Sequence, residues 1–325
     1  HIEKVFENFG IVIGKVPADK LDQINNNPAI KGFDDISDVV MSMDTASQAA
    51  GVVDGRQTYN IDGDRDGNPN SYSKDDVVIA ILDTGIDTSH VDLDGGKVIG
   101  WYDAVAGRTT PYDNHGHGTH CAGIAAGDGD GNLDYLGVAP GAALVGVKVL
   151  PAYGPGTNED VIEGMYWVLE NKDRYGIDIV SMSLGIPNNG IYDAVEQAAD
   201  TLVANGLTVV ASAGNVRQPS VGTIGSPGCA YDVITVGSVS DPAEGGWNIG
   251  SLSSSGPLSD GRIKPDICAP GVNITAAEAN TTSSYTSMSG TSMATPFVAG
   301  TIALYYDLYY HEVTPADVKE IIEGT

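Results

Sequence analysis

Cysteine is nearly absent from this sequence, and positive charge is scarce. Only Cys121, Cys229 and Cys268 occur in 325 residues, too few for a disulfide scaffold. One pair can form, leaving one thiol over. Cys121 sits in an apolar helix start and reads as a small buried filler rather than a reactive group. Lys and Arg number 16 against 43 Asp and Glu, a formal charge of −27. Such a surface repels nucleic acid and anionic membranes. It suits divalent cations, or solubility in salty surroundings. No run of 18 apolar residues occurs, so no membrane span is expected. No charged leader followed by an apolar run opens the sequence. The first residue is His1, so a processed chain is expected, with an earlier export signal left open.

What is present is a globular composition, 42% hydrophobic with 42 glycines, and enough length for one large α/β domain plus a smaller appendage. Short apolar runs recur at 77–83 (VVIAILD), 143–150, 177–185, 207–214 and 232–239. They suit the buried strands of a parallel sheet. Between them lie helical patterns. Residues 157–176 open with Thr157 three before Asp160 and stop at Gly176; residues 192–206 also stop at a glycine; residues 314–324 carry Thr314, Pro315 and Asp317, a strong helix start. Alternating strands and helices predict a three-layer α/β fold, a parallel sheet with helices on both faces. In such sheets functional groups gather at the carboxyl ends of the strands. Residues 1–43 differ. GIVIGKVP (10–17) reads as a strand, ADKLDQINN (18–26) as a short helix and 30–43 as extended, a small α+β unit too short for a core of its own. Residues 44–75 read as a polar, glycine-rich linker, and 76–325 as the main domain.

Four short stretches carry candidate chemistry. Asp83 ends the run VVIAILD; it is either the cap of the next turn or a paired functional carboxylate. NHGHGTHCAG (114–123) holds His115, His117 and His120. Their H-x-H-x-x-H spacing fits a metal cluster, although Thr119 stands where such clusters carry an acid. Alternatively His117 opens a helix and points into a cleft as a general base. ASAGN (211–215) ends with Asn215, either a plain turn residue or an amide donor for a developing oxyanion. GTSMATP (290–296) places Ser292 at a helix entry, as a surface hydroxyl or a nucleophile.

Together ILDTGID, HGTHCAG, ASAGN and GTSMATP resemble the signature blocks of the subtilisin-like serine proteases, in the chain order Asp, His, Ser. The resemblance implies a subtilisin-like fold and peptide-bond hydrolysis. Ser292 would be the nucleophile, His117 the base, Asp83 its orienting carboxylate and Asn215 the oxyanion donor. It makes His120 structural and SMSLG (181–185) an edge strand that pairs with substrate. Ser183, Leu184 and Gly185 would form one wall of the pocket for the P1 side chain, with Ala211, Ser212, Ala213 and Gly214 opposite. Both walls are small and uncharged, which implies apolar or large P1 residues.

Residues 16–35 resemble the second half of a subtilase propeptide, with a self-made cut expected near 41–44. Phe297 stands where many relatives have histidine. The sequence ends at Thr325 without the family's glycine-containing closing segment, so a continuation is expected. The implied partners are peptide or protein substrates and the chain's own propeptide. The implied setting is a secreted or cell-surface monomer.

Calcium has two candidate loops. Asp62, Asp64 and Asp66 have the spacing that opens an EF-hand loop, with Ser73 at the twelfth position and Asp75 and Asp76 close by. Asp128, Asp130, Asn132 and Asp134 form a second acidic loop, and Asp92 matches a family calcium ligand. Two rivals stand beside the protease reading: a metal-dependent hydrolase built on the histidines, and a catalytically silent relative that only binds.

Overall fold

The structure is a computed structural model. It describes residues 2–6, 11–14, 43–69, 71–187, 190, 192–216, 222–309 and 313–324. The chain divides into two compact units, His1–Val40 and Met41–Thr325. In the first, β1 (Ile2–Phe6) and β2 (Ile11–Gly14) pair as an antiparallel hairpin. β2 lies within the strand expected over 10–17. The short helix expected over 18–26 and the extended run up to residue 42 lie outside the described residues.

The second unit begins with two helices, α1 (Met43–Ala49) and α2 (Val52–Tyr59), where a linker was expected. Ala46 and Val52 are buried in the main core. A few apolar anchors are enough to hold a short polar helix when the core already exists.

Seven strands then form one sheet in the order β4-β5-β3-β6-β7-β8-β9, with every neighbouring pair parallel. They are β3 (Val78–Asp83), β4 (Val98–Asp103), β5 (Ala143–Lys148), β6 (Ile177–Met182), β7 (Thr208–Ser212), β8 (Ile234–Val239) and β9 (Ile267–Pro270). A separate antiparallel pair joins β10 (Ile274–Ala277) to β11 (Tyr285–Met288).

Two helical layers cover the sheet. Strand residues alternate between its faces. Ile79 and Ile81 of β3 join the core that holds α3 (His117–Ala126) and α6 (Thr291–Tyr309). Val78, Ala80 and Leu82 join the opposite core, with α4 (Asn158–Tyr175) and α5 (Ala194–Ala204). All five are buried, and each Ile or Leu contributes about 2 kcal/mol by leaving water. The three-layer α/β architecture is as expected.

The expected helices form at their predicted caps. Thr157 accepts from the Asp160 N–H at the start of α4. Thr314 and Asp317 complete a reciprocal capping box on α7 (Pro315–Glu323).

Because β3, β6 and β7 are adjacent and parallel, their carboxyl ends open at one edge. Asp83 ends β3, Ser183 follows β6, and Asn215 follows β7. This edge is where the four sequence blocks meet.

Candidate active site

Asp83 is buried at the tip of β3. Its Oδ1 accepts from the Thr84 N–H at 2.7 Å and lies 2.8 Å from His117 Nδ1. Its Oδ2 is buried without a hydrogen-bond partner. His117 is the first residue of α3, so the helix start carries the imidazole to the carboxylate. That approach requires glycine next door. A Cβ on Gly118 would lie 2.2 Å from the Gly85 carbonyl and 3.0 Å from the Asp83 side chain. The Gly118 N–H instead donates to Thr84 Oγ1 at 2.9 Å. Burial works against a charged His117, but the Asp83 carboxylate and, after it, Cys121 together overcome that and hold the imidazole well above its ordinary range. With Asp83 on Nδ1, the Nε2 atom is left for a reacting group.

Ser292 is the second residue of α6, where backbone N–H groups lack an acceptor four residues back. Its hydroxyl lies 3.4 Å from the Ser183 carbonyl. Pro296 sits inside the same helix and has no N–H to give the Ser292 carbonyl. That carbonyl instead accepts from Ser183 Oγ at 2.8 Å and from Cys121 Sγ at 3.4 Å. Cys121 Sγ also lies 3.9 Å from His117 Nδ1. The thiol thus packs beneath both groups, and burial pushes its pKa up. It stays a neutral filler.

Asn215 is oriented by its oxygen. Oδ1 accepts from the Thr291 N–H at 2.9 Å and from Thr291 Oγ1 at 3.2 Å. This fixes the amide and turns Nδ2 the other way. A Cβ on Gly290 would come 3.0 Å from that Nδ2, so glycine keeps space around the donor.

The pocket walls differ in detail from the expectation. Ser181 and Met182 lie inside β6, paired with β3 and β7, so SMSLG is not an edge strand throughout. Only Ser183, Leu184 and Gly185 run past the ladder before Ile186 bridges to Ser226. Leu184 and Ala211 place their side chains in the core, which leaves backbone as their contribution to any wall. Ser212 Oγ donates to the Leu184 carbonyl at 3.0 Å, which ties the two walls together. Ala213 is buried, and the Gly214 N–H donates to Thr291 Oγ1 at 3.2 Å.

The three histidines do not converge. The His115 and His117 rings are 6.3 Å apart. His120 Nε2 donates away from them, to the carbonyls of Ile274 and Thr286 at 3.1 and 3.0 Å. Burial lowers its pKa to about 4, so the ring is neutral and structural. Among the described residues, the titratable groups that gather here are Asp83, His117 and Cys121. The histidine-cluster metal site is therefore not built.

Two residues that hold this arrangement escaped the sequence reading. Asp113 caps the loop and helix start: Oδ1 accepts from the His115 and Gly116 N–H groups, Oδ2 from the Thr119 N–H and hydroxyl. Lys148 ends β5 beside Asp83. Its buried Nζ donates to the carbonyls of Thr84 and Leu150 and to Asn114 Oδ1. A lysine closing an otherwise apolar strand run was the available signal.

The acidic loops also part from expectation. Both Asp92 carboxylate oxygens accept from the Tyr285 hydroxyl, at 3.0 and 2.9 Å, and Oδ1 also accepts from the Gly131 N–H at 2.8 Å. Asp128 accepts from the Asp130 N–H and the Tyr72 hydroxyl, and Asn132 from the Asp134 N–H. Asp92, Asp128, Asp130 and Asp134 form no close carboxylate cluster. In the first loop Asp64 and Asp66 gather with Asp76, and Asp62 does not join them.

The description "Subtilase family" belongs to the family model that matches residues 74–325. The chain belongs to the subtilase family. It is 41% identical over 271 residues to serine protease AprX of Bacillus subtilis strain 168, covering 76% of this chain and 60% of that protein. It is 40% identical to subtilisin DY of Bacillus licheniformis, covering 73% and 79%. Among solved structures it resembles the S41 psychrophilic protease, with a TM-score of 0.67, 29% identity and coverage of 76% and 82%. The family is one of hydrolases, and these relatives are named as proteases. Subtilase membership is what the four sequence blocks implied.

Proposed function

We propose that this chain is a serine endopeptidase that cleaves protein or peptide substrates through an acyl-enzyme. The observation that carries this reading is the 2.8 Å contact between His117 Nδ1 and Asp83, beside a helix that begins with Ser292. Ser292 Oγ attacks the substrate carbonyl carbon and passes its proton to His117 Nε2. Asp83 holds the tautomer and stabilises the imidazolium. The tetrahedral oxygen takes hydrogen bonds from Asn215 Nδ2 and the Ser292 N–H at the positive end of α6. Collapse breaks the C–N bond as Nε2 returns its proton to the amine. Water then repeats the sequence on the ester.

An extended substrate would lie along Ser183–Gly185, main chain to main chain. The small, uncharged walls support an apolar or large P1 residue. Residues 1–43 would act as a partial propeptide, removed by a self-made cut near 41–44. A secreted or cell-surface monomer suits the acidic surface, and structural calcium suits its acidic loops. Ser292→Ala is expected to lower kcat about 10⁶-fold. A serine-directed covalent reagent should label the parent at Ser292. An active parent gives a burst of acyl-enzyme with an activated ester, and its absence would favour a silent relative. Mass spectrometry should find the cut near 41–44 in the parent and not in the variant.

A further inference from the structure

Three neighbouring parallel strands end in a charged residue at the same level. Asp103 of β4 and Asp83 of β3 are the register partners of Lys148, the last residue of β5 between them. All three are buried. Partners in register on parallel strands send their side chains to the same face, so a cation stands between two carboxylates. The Lys148 ammonium is held firmly. It has three protons to give. They go to the Thr84 carbonyl, to the Leu150 carbonyl at 2.9 Å and to Asn114 Oδ1 at 3.1 Å. These oxygens are uncharged, so the bonds orient the ammonium without cancelling its charge. The Tyr112 ring lies 5.1 Å from Nζ, and its hydroxyl donates to Asp103 Oδ2 at 2.9 Å. Burial pushes Lys148 below its ordinary range. Asp113, Asp103 and Asp83 work to keep it charged, and Arg108 opposes them.

Asp83 has the complementary need. It is 0% exposed, its Oδ1 serves the Thr84 N–H and His117, and its Oδ2 meets no donor. A buried carboxylate requires a compensating charge, and a neutral imidazole supplies none. We propose that Lys148 is the fixed counter-charge of Asp83 and limits how firmly His117 holds a proton. The Asp83 carboxylate draws a proton onto His117, and a cation behind it pushes the other way. An imidazole that kept its proton at neutral pH could not take one from Ser292. Cys121, His115 and His120 also face His117, and none of them carries a fixed positive charge. Lys148 further ties the two segments that hold the pair. Thr84 follows Asp83 and accepts the Gly118 N–H on its hydroxyl, and Asn114 lies three residues before His117. Lys148 touches no reacting atom, so it is a positioning residue that acts through Asp83.

This inference rests on the reading of His117 as the base, but its first readout needs no turnover. In the full chain carrying Ser292→Ala, the His117 ring is titrated by NMR with labelled histidine. Lys148→Met should raise its midpoint by roughly one pH unit, the effect of a unit charge about 10 Å away at an effective dielectric constant of about 20. Asp103→Asn removes a charge of the opposite sign one strand further off, and should lower the midpoint by less. In the active chain the acid limb of kcat/KM should move with the NMR midpoint, a loss of about tenfold on that limb for Lys148→Met. Mere loosening of the loops would lower the plateau and leave the limb in place. A His117 midpoint that stays or falls in Lys148→Met would overturn the proposal. Should circular dichroism show that Lys148→Met does not fold, Asp103→Asn decides, and a midpoint that stays or rises there overturns it. An inactive parent whose midpoint still moves as stated would end the protease reading and leave the Lys148 assignment standing.

Discussion

Asn215 illustrates how a neutral side chain becomes a directed donor. Thr291 occupies its oxygen with two hydrogens, so the NH₂ group is turned the other way and stands free for the oxyanion role proposed above. A donor fixed in advance costs no reorganisation when that charge appears. Asn215→Ala is expected to lower kcat by about 10²–10³ with KM little changed, measured by steady-state kinetics on a peptide substrate. A loss confined to KM would assign Asn215 to substrate binding instead. Asp83, His117, Asn215 and Ser292 could be singled out in the sequence because each sits in a short block near an element's end. Asp113 and Lys148 were not, because their work is to join loops distant in sequence, and no local pattern records such a bond. Asp76 was seen only as a neighbour of the loop.

Elements position these residues through close backbone approach. α3 can enter beside β3 because Gly118 has no side chain. Gly118→Ala would drive a methyl into the Gly85 carbonyl and separate His117 from Asp83. Its activity is expected to fall at least 10²-fold, while circular dichroism still reports a folded α/β protein. Activity within a few-fold of the parent would refute this account of the helix entry. The same scale explains what could be read of the fold. β3, β5, β6, β7 and β8 are buried along their length, so their sequences are mostly apolar. β4 and β9 are partly exposed edge strands, and the sequence reading did not single them out. α1 and α2 were hidden for a related reason. They are polar helices held by a few contacts, and their composition alone matches a linker.

For the whole molecule, acidity and burial set the response to pH and oxidation. All three cysteines are free, and only Cys268 is exposed, so no disulfide constrains the chain. His120 is buried and neutral, joining α3 to both strands of the β10–β11 pair. Its folded pKa, about 4, lies below the unfolded value of about 6.5. The unfolded state therefore binds the extra proton first. Stability from His120 is present above pH 6.5 and is lost as pH falls towards 4, at up to about 1.4 kcal/mol per pH unit. In a Ser292→Ala background, the advantage of the parent over His120→Gln should shrink steadily across that window in thermal melts. A constant difference would show that His120 does not titrate with unfolding.

The sequence by itself determined the subtilase blocks, the alternation of buried strands and helices, the helix caps at Thr157 and Thr314, and the acidic surface. These are local or compositional properties, written in the spacing of a few residues. The tertiary structure decided which groups meet. It brought β3, β6 and β7 side by side and separated His120 from His117. It bound Asp92 to Tyr285, and it replaced Asp62 by Asp76 in the acidic cluster. Such outcomes depend on packing between segments far apart in the chain. There, the desolvation of each polar group and the partner it finds are fixed together.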